Sequence, residues 1–262
     1  MKVTHMNRIN TLFANTRQKV LSVYFTAGFP NIDDTLSVAK HLEKAGADIV
    51  EIGMPFSDPV ADGPTIQESN KQALDNGMNL ELLFKQLEKL RDNVSIPVIL
   101  MGYINPVIQY GVERFCQSCE AVGVDGLILP DLPMAEYLTE YHSTFEKHGL
   151  KNVFLITPQT SEDRIKTVDD NTDGFIYMVS SASTTGAQSS FGDEQKSYFE
   201  KVNGMELKNP ALVGFGISNR TTFEQATAYS AGAIVGSAFI KLLSKSDDLE
   251  NDINTFVKEL KG

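Results

Sequence analysis

Short apolar runs alternate with longer amphipathic ones along the whole chain, and this alternation limits the fold more than any other feature. Runs at 21–26, 49–53, 98–101, 126–129, 153–156, 175–179, 211–214 and 233–236 read as eight strands. Patterns of helical period lie between them, for example at 35–45, 80–91, 112–122, 135–147, 161–171 and 221–231. Strands separated by helices of about 10–15 residues pair in parallel through right-handed crossovers. Their near-continuous apolar character fits a sheet covered on both faces. Three segments repeat one grammar: Lys44-Ala-Gly-Ala-Asp-Ile-Val-Glu51, Ala121-Val-Gly-Val-Asp-Gly-Leu-Ile128 and Ser230-Ala-Gly-Ala-Ile-Val-Gly236. In each a helix ends, a glycine takes the left-handed position after it, and a strand begins. The pattern predicts an α/β chain folded as a single (β/α)8 TIM barrel, one domain over 1–262, close to the usual size of about 250 residues. A doubly wound sheet is the alternative, weakened because no G-x-G-x-x-G follows the first strand. A short extra helix at 6–14 precedes the barrel, and a helix at 247–260 closes it.

Bulk properties exclude several functions. A formal charge of −11 argues against nucleic acid or an anionic membrane as partner. No run approaches the roughly 20 apolar residues of a membrane span. The first residues lack the apolar core of a signal peptide, so a cytoplasmic protein is expected. The two cysteines, Cys116 and Cys119, have C-x-x-C spacing but fall within a helical pattern. They neither open a helix after a strand nor face a second Cys/His pair, which points to burial rather than redox or zinc chemistry. His5, His41, His142 and His148 are scattered away from strand ends and receive no catalytic or metal role.

The run Glu51-Ile-Gly-Met-Pro-Phe-Ser-Asp-Pro-Val-Ala-Asp-Gly-Pro64 holds the candidate chemistry. Asp58 and Asp62 lie in a loop stiffened by Pro55, Pro59 and Pro64. Alone they would read as turn residues, since Asp-Pro and Asp-Gly are common turn pairs. Glu51 changes the balance, because an acid at the end of a buried strand costs free energy and needs a reason. Carboxylates on a rigid loop beside an apolar wall suit acid–base work on a small molecule.

Glycine-rich segments follow two later strands, Gly214-Phe-Gly-Ile-Ser218 and Gly236-Ser237-Ala238. Barrel enzymes bind phosphate in the loops after strands seven and eight, where backbone N–H groups meet the anion. Ser237 adds a hydroxyl donor, and Gly186 in the polar stretch 180–192 offers a third arm. That stretch reads as a lid on the active-site face. An inert loop is the alternative.

These residues together resemble the tryptophan synthase alpha subunit family over essentially the whole length. The matching stretches are Thr26-Ala-Gly-Phe-Pro30, 51–67, Tyr103-Ile-Asn-Pro106, Pro130-Asp-Leu-Pro133, Thr184-Thr-Gly186, Gly214-Phe-Gly-Ile-Ser218 and Gly236-Ser-Ala238. The resemblance implies a lyase of tryptophan biosynthesis that cleaves indole-3-glycerol phosphate to indole and glyceraldehyde 3-phosphate without metal or organic cofactor. It places Glu51 and Asp62 on the catalytic pair, Glu51 as proton shuttle and Asp62 as an ionised partner for the indole N–H. Tyr24, Met101, Tyr103, Leu155 and Tyr177 would clasp the indole ring, although plain barrel core also accounts for the aliphatic ones. Phe215 and the backbone of Gly186, Gly216, Gly236 and Ser237 would cradle phosphate. Thr185 would be a lid residue meeting the aspartate on closure. Phe29, Ser181 and Ser183 depart from residues common in the family.

The family works as an alpha2-beta2 heterotetramer with a pyridoxal-phosphate-dependent beta subunit. The resemblance therefore predicts a docking surface from 55–62 and the loop 105–111, with Val107, Ile108 and Tyr110 exposed. Two alternatives stay open. Another phosphate-binding barrel, such as an aldolase or isomerase, would need a strand-end lysine or clustered histidines, and neither is found. A non-catalytic ligand-binding subunit that activates its partner would have less need of both carboxylates.

Overall fold

The computed structural model describes residues 6–16, 18–60, 62–180 and 190–262. Nine parallel strands form one sheet: β1 Val20–Thr26, β2 Ile49–Gly53, β3 Val98–Met101, β4 Gly126–Ile128, β5 Lys151–Val153, β6 Leu155–Ile156, β7 Ile176–Val179, β8 Ala211–Gly214 and β9 Gly232–Val235. Their spatial order is β5-β4-β3-β2-β1-β9-β8-β7-β6. The two ends of that order, β5 and β6, are separated in the chain only by Phe154. Tyr177 N donates to Phe154 O at 2.9 Å, which carries the ladder across the gap. The sheet therefore closes into a barrel, and the eight expected strands appear with the fifth one interrupted.

Alternation along each strand sorts residues into two cores. Outward residues such as Leu21, Val23, Phe25, Val50 and Ile52 pack under the helices. Inward residues Val20, Ile49, Ile99, Ile128, Val153, Leu212 and Ile234 fill the barrel. The N-terminal helix Arg8–Asn15 completes this inner core with Ile9 and Phe13, four apart and so on one helix face. Ile9 lies against Gly126 at the start of β4, and Phe13 stacks on Phe175 at 5.9 Å. The plug thus fills the strand-start end and leaves the other end open. Asp125 anchors it, accepting from Arg91 Nη2 at 2.6 Å, Arg8 Nη1 at 3.0 Å and Val98 N at 2.8 Å.

The closing helix is Leu249–Lys261, whose Ile253, Val257 and Leu260 are buried. Gly46 and Gly123 follow their helices with φ of 102° and 84°, as the repeated grammar requires. Gly232 does not follow that grammar. It opens β9, and a Cβ there would lie 2.1 Å from Val20 O, so close strand approach explains it. The helical stretch 80–91 is broken by a 3-10 turn at Leu87–Lys89, and 135–147 carries a π turn at Tyr137–Tyr141. The expected loop 105–111 is mostly the helix Ile104–Tyr110. Val107 is buried in it and Tyr110 packs on Phe84 and Phe115, so Ile108 alone of the three apolar residues is exposed. Cys116 and Cys119 are buried and unpaired, and burial pushes the Cys116 thiol up to about 12.

Candidate active site

The open end of the barrel holds a cleft of two adjoining lobes. Tyr24, Asp62, Met101 and Phe215 line both lobes and so join them. One lobe is completed by Tyr177, Gly216, Ile234, Gly236 and Ser237, the other by Met54, Asn70, Tyr103, Pro130 and Leu155. The first is where phosphate was expected and the second is mostly apolar and aromatic, suiting a flat ring. No lysine or arginine lines either lobe among the described residues.

Two inward glycines make room for the aromatic walls. A Cβ on Gly53 would lie 2.2 Å from Tyr24 Oη, and one on Gly214 would lie 2.3 Å from Tyr177 Oη. Both tyrosine hydroxyls are raised in pKa, first by burial and then by nearby acids. Phe215 adopts φ 69°, unusual for a bulky residue, and this turns its ring toward both lobes. Its backbone is held by Ser180 Oγ, which donates to Phe215 O at 2.8 Å. The first amides of the helix Ser237–Leu243 have no intrahelical acceptor and start at the same lobe.

Glu51 stands mid-strand in β2 rather than at its end, paired in register with Tyr24 and Ile99. It is fully enclosed and is not among the residues lining the cavity. Ser22 Oγ donates to its Oε1 at 2.6 Å, and its Oε2 has no partner among the described residues. Burial raises its pKa to about 7, although the serine hydrogen bond pulls the other way. Asp62 is half-buried rather than in an open polar loop. Burial raises its pKa as well, opposed by Tyr103 Oη, which donates to Oδ2 at 3.1 Å. Enclosed space beside the ring-lined lobe, not the loop's sequence, decides that shift.

The sequence missed Asn70 and Ser22. Asn70 lies four residues after Ile66 on the helix Pro64–Asp75, and both face the cavity. A polar residue at an apolar spacing was the available signal. Ser22 was hidden inside a strand read only as apolar. Gly186, Thr185, Ser181 and Ser183 lie outside the described residues. No three His, Cys, Asp or Glu side chains converge as metal ligands would among the described residues.

A sequence profile of the tryptophan synthase alpha chain matches residues 11–261. The chain belongs to the tryptophan synthase alpha chain family. It is 57% identical over 256 residues to the alpha chain of Flavobacterium johnsoniae, covering 98% of this chain and all of that one. The alpha chain of Parabacteroides distasonis is 55% identical, covering 98% of this chain and 100% of its own. Among solved structures, a tryptophan synthase of Mycobacterium tuberculosis superposes with a TM-score of 0.88 at 29% identity, covering 98% of both chains. The Legionella pneumophila alpha subunit gives 0.88 at 34% identity, also over 98% of both. As a member of the tryptophan synthase alpha family the chain is a lyase of tryptophan biosynthesis, and the non-catalytic alternative is not favoured. The closed barrel is the family's fold.

Proposed function

We propose that residues 1–262 work as one barrel domain that cleaves indole-3-glycerol phosphate, with Glu51 moving the proton and Asp62 holding the indole N–H. The observation that carries this is a pair of carboxylates in different settings, Asp62 lining the two-lobed cavity and Glu51 enclosed in β2 beside its wall residue Tyr24. Glu51 is fully buried with a pKa raised to about 7, and Asp62 reaches the cavity wall. An acid poised near neutral pH both gives and takes a proton efficiently.

The reaction then runs as a balanced shuttle. The Glu51 carboxyl turns toward the substrate and gives its proton to indole C3. The ring nitrogen becomes cationic, and the Asp62 carboxylate stabilises its N–H. The Glu51 carboxylate next removes the proton of the side-chain hydroxyl beside C3. The carbonyl forms, the C3–carbon bond breaks, and its electron pair returns to the ring. Indole and glyceraldehyde 3-phosphate leave, and Glu51 ends protonated as it began. Tyr24, Met101, Tyr103, Leu155 and Tyr177 enclose the ring in this scheme. Phe215, Gly216, Gly236 and Ser237 receive the phosphate through neutral donors.

The partner in this reading is a pyridoxal-phosphate-dependent beta subunit in an alpha2-beta2 complex. Val60, 82% exposed, and Ile108, 47% exposed, present apolar surface on the two segments assigned to docking. The unpaired, buried thiols Cys116 and Cys119 suit a reducing cytoplasm. The test is indole release by wild type, Glu51→Gln and Asp62→Asn, each with and without a beta subunit. Both variants are expected to lose at least a hundredfold in kcat. Wild-type turnover by Glu51→Gln would rule out the shuttle.

A further inference from the structure

Among the described residues Glu51 has one hydrogen-bond partner, Ser22, which takes no part in the proton transfer. Ser22 points into the barrel from β1 and is fully buried. Parallel pairing sets Tyr24 opposite Glu51 and Ser22 opposite Ile49. Ser22 therefore sits one inward step below Glu51, on the side away from the open end. Its Oγ lies 2.6 Å from Oε1, while Oε2 is buried without a partner among the described residues.

We propose that Ser22 is a positioning residue for the lyase reaction: its hydroxyl occupies Glu51 Oε1, which makes Oε2 the oxygen that carries the proton to the indole carbon. This rests on Glu51 being the proton shuttle. In a protonated carboxyl one oxygen accepts and the other donates. A donor fixed on Oε1 assigns it the accepting role and leaves the proton on Oε2. The same contact holds one oxygen from below, so Oε2 is the end that turns toward the substrate. The titratable groups facing this site are Tyr24 from β1 and Tyr177 from β7, each of which feels both Glu51 and Asp62 of the loop after β2. None of these is a cation. Ser22 is thus the one group resolved here that favours the ionised form, against burial.

Lyase kinetics of the alpha chain with its beta partner, measured from pH 5.5 to 9, test the assignment. The set is wild type, Ser22→Ala, Ser22→Thr and Glu51→Gln. Ser22→Ala is expected to move the alkaline inflection of the rate upward by about one pH unit, the usual scale for losing a hydrogen bond to a carboxylate. It should also lower kcat several-fold with KM within about twofold, since the contact orients the acid rather than the substrate. Ser22→Thr keeps a hydroxyl and should restore the wild-type inflection. If the larger side chain prevents folding, unfolding of Ser22→Ala decides: its Glu51-linked loss of stability should occur about one pH unit higher than in wild type. An unmoved inflection beside an inactive Glu51→Gln would overturn the role of Ser22 alone. An active Glu51→Gln would instead overturn the shuttle on which it rests.

Discussion

Replacing Glu51 by glutamine should stabilise the fold, and the gain should grow with pH. The folded-state pKa is about 7 against an ordinary value of 4.5. Each pH unit of that gap corresponds to about 1.4 kcal/mol, so ionising Glu51 inside the barrel costs about 3 kcal/mol in all. The sign follows from proton linkage. Because the folded value is raised, the stabilising contribution is fully present below about pH 4.5 and is lost as pH rises through about 7. Glutamine is neutral throughout and loses nothing. The advantage of Glu51→Gln over wild type should therefore widen by about 2 kcal/mol between pH 5.5 and 8.5, roughly 4–8 °C in Tm for a chain of this size. Any change in hydrogen bonding made by the amide adds an offset that does not vary with pH. The change with pH, not the absolute difference, is the diagnostic quantity. Thermal or urea unfolding of both proteins at the two pH values measures it. Parallel pH dependence in wild type and variant would refute an enclosed Glu51 that resists ionisation.

Three further outcomes follow from the geometry. Tyr103→Phe removes the donor to Asp62, so the Asp62 pKa rises further and the acidic limb of the lyase pH profile moves upward. At neutral pH kcat/KM should fall roughly tenfold, read by steady-state kinetics. Gly214→Ala drives a methyl into Tyr177 and should cost about 1–3 kcal/mol in unfolding free energy, with weaker binding of a non-cleavable substrate analogue by calorimetry. Arg91→Leu leaves buried Asp125 with Arg8 as its remaining ion partner among the described residues, and urea unfolding should show a loss of about 3 kcal/mol or more.

Strand positions were legible wherever an apolar run was bounded by glycine or proline. The expected bounds 49–53, 98–101 and 211–214 match β2, β3 and β8. Period alone could not show the break at Phe154, which closes the barrel between two half-strands. It also could not show that 105–111 is helical, because Pro106 and Gly111 read locally as loop signals while the segment packs through Val107 against the core.

The sequence by itself determined the barrel, the presence of a leading and a closing helix, two carboxylates and two glycine-rich loops, because periodicity and residue type are local properties. It also determined the family, through stretches spread along the chain. Only the tertiary structure decided what those residues experience. Parallel register brings Ser22 of β1 to Glu51 of β2, 29 positions apart. Closure of the sheet encloses Glu51 and raises its pKa, and Tyr103 meets Asp62 across 41 positions. Proton affinity depends on desolvation and on neighbours, and both are set by which strands meet across the barrel.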